Sequence, residues 1–378
     1  MESLLHDQAA ALGAVSGEVA GVLLPRRFGD GDSEYDAIRQ AVGIVDRHDL
    51  ARFRLHGRDP VKMLHGLITN DLQNAAPGQG VYAAMLTPKG RTIADLRAFT
   101  LHSPEGVEVI VDVAREALPG VRAHLGKYVP PMFARWEEIS NRVGVIGVYG
   151  PHSRQLTSLA LETNVSEMGE DAFVEVGWEV DGARASVMVV ATRYAGGEEG
   201  FDLFVPEPAI AALWKTLLRE GMPLGARPVG YAALEALRVE AGRPRYGREL
   251  TEETIPTEVF ESTGLMERAI SFSKGCYTGQ EVIVRIAHRG HVNRHLRGLL
   301  LGEAPLPAVG TPLIHRETGR EVGRTATSVH SPLLDQTIAL ALVRREMAPG
   351  DLVGVGEAGR EGTIVELPFR TGSGCQRE

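Results

Sequence analysis

The alternation of apolar and polar residues predicts a series of strands in the first two thirds of the chain. Residues 51–56 alternate, and two apolar-rich segments at 79–87 and 92–101 flank the turn Pro88-Lys-Gly. Proline and glycine favour tight turns, so this pair predicts a β-hairpin. The same apolar character predicts further strands at 107–113, 143–150, 185–191 and 200–205.

Segments rich in helix-forming residues lie between these strands. Ser33 and Asp59 each precede such a segment, and Pro60 stands at a first helical position, where proline is well tolerated. Strands mixed with helices, with hairpins between consecutive strands, indicate α+β layers. The predicted helices are residues 33–42, 59–67, 116–129, 152–161, 209–220 and 227–240.

The last third of the chain has a different pattern. Short apolar segments separated by Gly and Pro follow Arg297, and evenly spaced short strands of this kind are typical of a small β-barrel. The predicted organisation is a region 1–290, a barrel domain 291–370 and a loose tail 371–378. The predicted barrel strands are residues 299–301, 311–315, 321–325, 337–343, 351–354 and 362–366.

Composition narrows the class of protein. The 378 residues are 43% hydrophobic and 24% charged, which is typical of a globular chain. The net charge of −9 does not point to a nucleic-acid partner, and no apolar run reaches the roughly 18 residues of a membrane span. Two cysteines, Cys276 and Cys375, cannot form a disulfide framework. With no basic-then-apolar leader at the N-terminus, a cytoplasmic protein is expected.

Two carboxylates are candidate ligand-binding groups. Asp95 stands in a predicted strand between Ala94 and Leu96, where it either forms a salt bridge at the strand edge or hydrogen-bonds a ligand amine. Glu198 lies in a Gly-rich turn and is either one acid of an exposed turn or an inward-pointing acceptor. A carboxylate suits an amino-pyrimidine edge because its two acceptors match two N–H donors.

The segment Lys274-Gly-Cys-Tyr-Thr-Gly-Gln-Glu281 is the most distinctive local motif. Cys276 lies between glycines, near Lys274, and a helix is predicted to begin at Gln280. A lysine and a helix N-terminus both stabilise a thiolate, so a reactive thiol is one interpretation, and a small buried cysteine is the other.

Two other motifs are weaker candidates for a functional site. The glycine series beginning at Gly144 lacks the dinucleotide-binding spacing. His288, His291 and His295 have helical spacing, but Gly290 and nearby arginines oppose a metal site. No metal is therefore predicted.

The motif 274–281 resembles the signature of the YgfZ family of folate-binding, iron–sulfur assembly proteins. The wider chain, from about residue 35 to 370, resembles the aminomethyltransferase (glycine-cleavage T-protein) superfamily that contains YgfZ. The supporting segments are Leu67-Ile-Thr-Asn-Asp71, Pro77-Gly-Gln-Gly-Val-Tyr82, Leu237-Arg-Val-Glu-Ala-Gly242, Gly323-Arg-Thr-Ala-Thr-Ser and Leu367-Pro-Phe.

The resemblance implies a fold, a cofactor and site residues. The fold is a cloverleaf of two interleaved α+β lobes and a C-terminal β-barrel, with tetrahydrofolate or a one-carbon derivative in a central channel. The implied catalytic residues are Asp95 and Cys276. The implied folate-binding residues are Asn70, Tyr82, Asp95, Glu198 and Arg238, and the implied motif residues are Lys274, Gly275, Cys276, Tyr277, Gly279, Gln280 and Glu281.

Three functions fit this resemblance, and whether the chain is an enzyme stays open among them. The favoured hypothesis is a folate-binding factor for assembly or repair of iron–sulfur proteins, with client or assembly proteins as partners. The alternative is an aminomethyltransferase that moves a one-carbon unit from a lipoyl-bound aminomethyl group to tetrahydrofolate. A demethylase fragment ranks last because the chain has no flavin domain.

Overall fold

The computed structural model describes residues 1–29, 31–104, 106–180, 182–356 and 360–369. The predicted tail 371–378, with Cys375, lies outside these residues. The helices of the described part are α1 (His6–Ala11), α2 (Gly31–Gln40), α3 (Pro60–His65), α4 (Leu118–Tyr128), α5 (Ser153–Ala160), α6 (Glu207–Gly221), α7 (Tyr231–Glu240), α8 (Thr257–Thr263), α9 (Met266–Ala269) and α10 (Gln280–Arg289). Short 3-10 turns lie at Arg115–Ala117 and Met222–Leu224.

The strands of the same part form two main sheets, a hairpin and a barrel. They are β1 (Val15–Val19), β2 (Val22–Arg27), β3 (Val42–Asp46), β4 (Leu50–His56), β5 (Val81–Leu86), β6 (Thr92–Ser103), β7 (Gly106–Ala114), β8 (Arg135–Glu138), β9 (Val143–Tyr149), β10 (Phe173–Val180), β11 (Ala183–Thr192), β12 (Gly200–Pro206), β13 (Ala226–Val229), β14 (Arg294–Leu300), β15 (Pro312–His315), β16 (Glu321–Ser331), β17 (Gln336–Arg344), β18 (Leu352–Val355) and β19 (Arg360–Val365).

The two main sheets are interleaved along the chain. The five-stranded sheet has the order β5-β6-β7-β4-β8, and all its neighbours are antiparallel. The six-stranded sheet has the order β10-β11-β12-β9-β3-β13, with only the β13–β3 pair parallel. Strand β3 precedes the whole five-stranded sheet in sequence, and its neighbour β9 follows it. One lobe is therefore inserted into the other.

Apolar side chains pack the two sheets against each other. Phe99 of β6 lies edge-on to Phe173 and Phe204 of the six-stranded sheet, with ring centroids 5.5 and 5.8 Å apart. Ile110 and Met188 belong to the same buried cluster. This contact fixes the faces of the two sheets that carry the polar residues described below.

The C-terminal strands close into a six-stranded barrel of order β14-β17-β16-β15-β18-β19. Its interior is filled by apolar residues such as Leu299, Leu313 and Ile364. Outward-facing residues of β14 and β17, including Leu296 and Leu340, join the core of the five-stranded sheet. The predicted α+β architecture with a C-terminal barrel is confirmed.

The structure corrects several local predictions. Residues 226–229 form strand β13 rather than the start of a helix, because they pair with β3 before α7 begins. Asp59 precedes α3 but makes no side-chain cap. The hairpin β1–β2 and strand β10 lie where no strand is predicted from the sequence. Among the described residues, no helix is long and apolar enough to cross a membrane.

Candidate functional site

A central cavity lies between the two main sheets and the loop that follows α7. Its empty volume, counted with the solvent at its mouth, is about 730 Å³. Polar side chains from both sheets line it together with aromatic rings. The charged and aromatic lining residues are Arg47, Asp49, Tyr82, Asp95, Arg97, Asp112, Glu170, Tyr194, Asp202, Arg243, Arg245, Tyr246 and Arg268.

Asp95 is the carboxylate of this cavity that lacks a cationic partner. No salt bridge to it is found in the described part of the chain, and its side chain accepts one hydrogen bond, 2.9 Å from Oη of Tyr82 to Oδ2. Burial raises the pKa of Asp95 from 3.8 to about 6, while the Tyr82 hydrogen bond opposes the rise. Burial also raises the pKa of Tyr82 well above 10, so the phenol keeps its proton and donates.

The adjacent inward-facing residue of β6, Arg97, joins carboxylates from both sheets. Its Nε donates to Oδ1 of Asp112 at 3.1 Å, and its Nη2 contacts the other oxygen of the same carboxylate. Nη2 also lies 2.7 Å from Oδ2 of Asp202 in β12. Burial alone would lower the pKa of Arg97, but the charges of Asp112 and Asp202 outweigh it and hold the pKa above its ordinary value.

Arg268 and Asn70 hold the Tyr82 side of the cavity. The guanidinium of Arg268 lies 4.9 Å from the Tyr82 ring centroid and forms hydrogen bonds of 2.7 to 2.9 Å to both carboxylate oxygens of Asp171. Nδ2 of Asn70 donates to the carbonyls of Tyr82 and Arg268 at 2.8 and 2.7 Å. Asn70 is absent from the cavity lining, so the structure makes it a support of Tyr82.

Two surface grooves share lining residues with the cavity. The first, named here the Arg39 groove, contains Arg39, Gly197 and Glu240 and shares Glu170, Arg243, Leu265 and Arg268 with the cavity. The second, named here the Tyr231 groove, contains Tyr231 and Glu235 and shares Arg245 with it. The cavity is therefore bordered by two separate surface grooves.

Arg238 does not reach the cavity, contrary to the expectation from the sequence. Its fully buried guanidinium donates to Oε2 of Glu249 at 2.8 Å, to Oε1 of Glu235 at 2.5 Å and to Oγ1 of Thr327 at 2.9 Å. These bonds join α7 to the following loop and to barrel strand β16. The structure thus places Arg238 in a buried ionic network at the junction with the barrel.

Glu198 is also outside the cavity lining. It lies in the turn between β11 and β12, about 30% exposed, with Oε1 3.1 Å from Nη1 of Arg39. The acid of this segment that does line the cavity is Asp202, four residues later and 1% exposed, because strand β12 turns that side chain inward. The expected inward-pointing acid of this segment is therefore Asp202, and Glu198 lies at the surface.

The motif 274–281 has a structural role at a distance from the cavity lining. The ammonium of Lys274 donates to the carbonyls of His65, Ile68 and Asn70 at 2.6, 2.8 and 2.9 Å, and burial lowers its pKa to about 8. Gly279 has φ +85°, and a Cβ there would lie 2.7 Å from the carbonyl oxygen of Thr87. The motif thus clamps the segment before β5 and the β5–β6 turn.

The remaining residues of the motif lie in the core, at the start of α10 and at the surface. Tyr277 is buried in the core of the five-stranded sheet, and Gln280 and Glu281 begin α10, as predicted. Gly275 and Cys276 are exposed. The structure therefore separates Cys276 from the cavity that contains Asp95.

Of the charged residues that line the cavity, only Asp95 is among the sequence-based candidates, and the missed ones include Arg97, Asp112 and Asp202. The available signal was a single charge inside an otherwise apolar strand, as in Val-Ile-Val-Asp112 and Gly-Phe-Asp202-Leu-Phe. Each such charge needs a buried partner. Which partner it finds depends on the packing of the two sheets.

Comparison with known proteins shows the family. Residues 5–274 match the GCVT N-terminal domain, and residues 294–370 match the glycine cleavage T-protein C-terminal barrel domain. The first match covers well over half of the chain. The chain therefore belongs to the glycine cleavage T-protein (GCVT) family.

Several similar proteins span nearly the whole chain. The aminomethyltransferase of Frankia alni is 32% identical over 372 residues, which cover 97% of each chain. That of Shouchella clausii is 28% identical over 370 residues, 97% of this chain and 95% of its own. The crystal structure of glycine cleavage system aminomethyltransferase T from Bartonella henselae has a TM-score of 0.82 at 20% identity, with 98% of both chains covered, which shows a shared fold.

These findings correct the favoured functional hypothesis. The prediction of an iron–sulfur assembly factor of the YgfZ type is wrong, because the relatives that match over nearly their full length are named aminomethyltransferases. The wider resemblance to the T-protein superfamily is confirmed. The motif that suggested YgfZ serves the clamp described above.

Proposed function

We propose that the chain is an aminomethyltransferase that transfers the one-carbon unit of a lipoyl-bound aminomethyl group to tetrahydrofolate. The family and the names of the full-length relatives support the reaction class. The observation that carries the proposal is Asp95, a carboxylate without a cationic partner that faces the central cavity and is held by Tyr82.

The chemistry of the transfer requires a group that exchanges protons with nitrogen. The methylene carbon loses its bonds to sulfur and to the amine nitrogen and gains bonds to two folate nitrogens. The two folate N–H protons leave with ammonia and with the lipoyl thiol. With a pKa of about 6, Asp95 is mostly ionised at neutral pH, and it accepts a proton from a folate nitrogen and returns it to a leaving group.

The two grooves suit the two substrates of such a reaction. The Arg39 groove is lined by three arginines, Arg39, Arg243 and Arg268, and by two glutamates, Glu170 and Glu240. Its lining is therefore net positive, which suits the carboxylates of a folate tail. The Tyr231 groove is lined by Tyr231 and by two carboxylates, Glu235 and Glu116. These groups suit a donor arm that carries an amine. Two substrates in separate grooves would both border the cavity that contains Asp95.

An ammonia-release assay tests the proposal. Purified protein is mixed with tetrahydrofolate and an aminomethyl-loaded lipoyl carrier, and ammonia is measured with and without the folate. We expect folate-dependent release in the wild type and in the surface variant Asp59→Asn. Asp95→Asn should lower the rate by roughly 100- to 10,000-fold, the usual contribution of a positioned proton-transfer group. Equal rates in wild type and Asp95→Asn would contradict the role of Asp95.

A further inference from the structure

We propose that Arg97 selects the ring that the central cavity accepts, by donating a hydrogen bond to a ring carbonyl oxygen next to the atoms that Asp95 contacts. The proposal rests on the proposed function, because it specifies which feature of a folate ring the same cavity recognises. The role of Arg97 concerns a ring substituent and not the transfer chemistry, so this role and the proposed function can be tested by separate experiments.

The position of Arg97 places a donor beside Asp95. The two residues are separated by one position in β6, so they face the same side of the sheet, with backbones about 7 Å apart. Nε and Nη2 of Arg97 are engaged by Asp112 and Asp202. Nη1 makes no hydrogen bond to any residue that the structure describes, and it is not among the polar atoms sealed from solvent. Because Arg97 lines the cavity, Nη1 is the donor left for a ligand.

The carboxylates fix the direction of this donor. Asp112 is the direct cross-strand neighbour of Arg97 and engages two of its nitrogens, while Asp202 contacts the same guanidinium from the opposite sheet. Asp202 also accepts from Oη of Tyr149 at 2.5 Å, which anchors that side. A guanidinium held from two sheets cannot turn away without leaving buried carboxylates unpaired. Arg97 therefore presents a donor, never an acceptor, at one place in the cavity.

A fixed donor distinguishes oxo from amino substituents. The pterin ring of folate carries a carbonyl oxygen at C4, beside the ring nitrogen N5, and this oxygen accepts a hydrogen bond. In a 4-amino analogue, the same position carries N–H donors. A donor that faces another donor loses its hydrogen bond and stays unsatisfied. With N5 near Asp95, the cavity should therefore prefer the 4-oxo ring.

Folic acid and aminopterin are a matched pair of probes, because aminopterin carries a 4-amino group where folic acid has the 4-oxo group. Calorimetric titration of the wild-type protein with each compound gives their affinity ratio. We expect folic acid to bind roughly 10- to 100-fold more tightly, the effect of one buried unsatisfied donor. Equal affinities, or tighter binding of aminopterin, would overturn the role of Arg97. Absence of binding by folic acid and by tetrahydrofolate would instead overturn the proposed function.

Variants assign the preference to Arg97. Arg97→Gln should bring the affinity ratio close to one, mainly through weaker binding of folic acid. Arg54→Gln is the matched control, since Arg54 pairs with Glu108 across the same sheet but is outside the cavity lining. The double variant Arg97→Gln/Asp112→Asn removes the carboxylate left unpaired, in case the single variant does not fold. A preference for folic acid that persists in a folded Arg97 variant would contradict the proposal.

Discussion

The hydroxyl of Tyr82 lies 2.9 Å from Oδ2 of Asp95, across two neighbouring strands of the five-stranded sheet. Tyr82 is itself held from behind, because Asn70 donates to its carbonyl and Arg268 stacks on its ring. The hydrogen bond favours the charged form of Asp95, whereas burial favours the neutral form. This balance leaves a carboxylate that exchanges protons near neutral pH.

Replacing Asp95 with asparagine should stabilise the fold at neutral pH while it strongly slows transfer. The pKa of Asp95 is raised from 3.8 to about 6 in the folded state, so the folded protein loses stability as the pH rises between these two values, and the loss is complete above about pH 6. We expect the melting temperature of Asp95→Asn to exceed that of wild type by roughly 2–4 °C at pH 7.5. The gain should vanish below about pH 4, where aspartic acid is protonated in both states. A lower melting temperature of the variant at pH 7.5 would show that the charged carboxylate has a stabilising partner.

Replacing Tyr82 with phenylalanine should shift the pH dependence of transfer. Loss of the hydroxyl removes a hydrogen bond to the charged carboxylate, so the pKa of Asp95 should rise by about one to two units. The acidic limb of the rate–pH profile should move to higher pH by the same amount, because the ionised form accepts the proton. The rate at high pH should recover most of the wild-type value. An unshifted acidic limb would mean that another group sets it.

Replacing Arg238 with alanine should reduce stability rather than act through a ligand contact. The change leaves the buried Glu249 and the half-buried Glu235 without their cationic partner, at a cost of about 3–5 kcal/mol. Urea unfolding compares it with Arg58→Ala, which removes an exposed arginine. Wild-type stability combined with lost folate affinity would return Arg238 to the list of ligand contacts.

Cys276 and Lys274 should behave differently although both belong to one motif. Cys276→Ser changes an exposed side chain outside the cavity lining, so folding and transfer should remain at the wild-type level. Lys274→Met removes three hydrogen bonds to backbone carbonyls and should cost roughly 2–4 kcal/mol in urea unfolding. A large loss of transfer in a stable Cys276→Ser protein would restore the thiol as a catalytic candidate.

Local patterns predict the architecture well but identify only part of the site. The turn at Pro88 and the evenly spaced barrel strands are local signals, and both appear in the structure as expected. Alternation in β6 correctly turns Asp95 inward. Arg97, Asp112 and Asp202 come together only when two sheets pack face to face, and no local pattern contains that contact.

The same limitation explains the residues that sequence reasoning misplaced. Glu198 and Asp202 belong to one acidic segment, but Asp202 lies within β12 and faces the cavity, whereas Glu198 lies in the turn before that strand. Lys274 and Gly279 form a distinctive motif because a buried ammonium and a positive φ each restrict the residue type. Local structure therefore explains the motif. An unusual motif of this kind does not by itself indicate a catalytic role.

The measurement that tests the central claim most directly follows the carbon atom itself. A lipoyl carrier loaded with a ¹³C-labelled aminomethyl group is incubated with the protein and tetrahydrofolate, and the label is followed by NMR. We expect the ¹³C resonance to move from the thioether-linked carbon to a methylene carbon bound to two folate nitrogens, in wild type but not in Asp95→Asn over the same incubation. A label that stays on the carrier while tetrahydrofolate binds normally would contradict the proposed function.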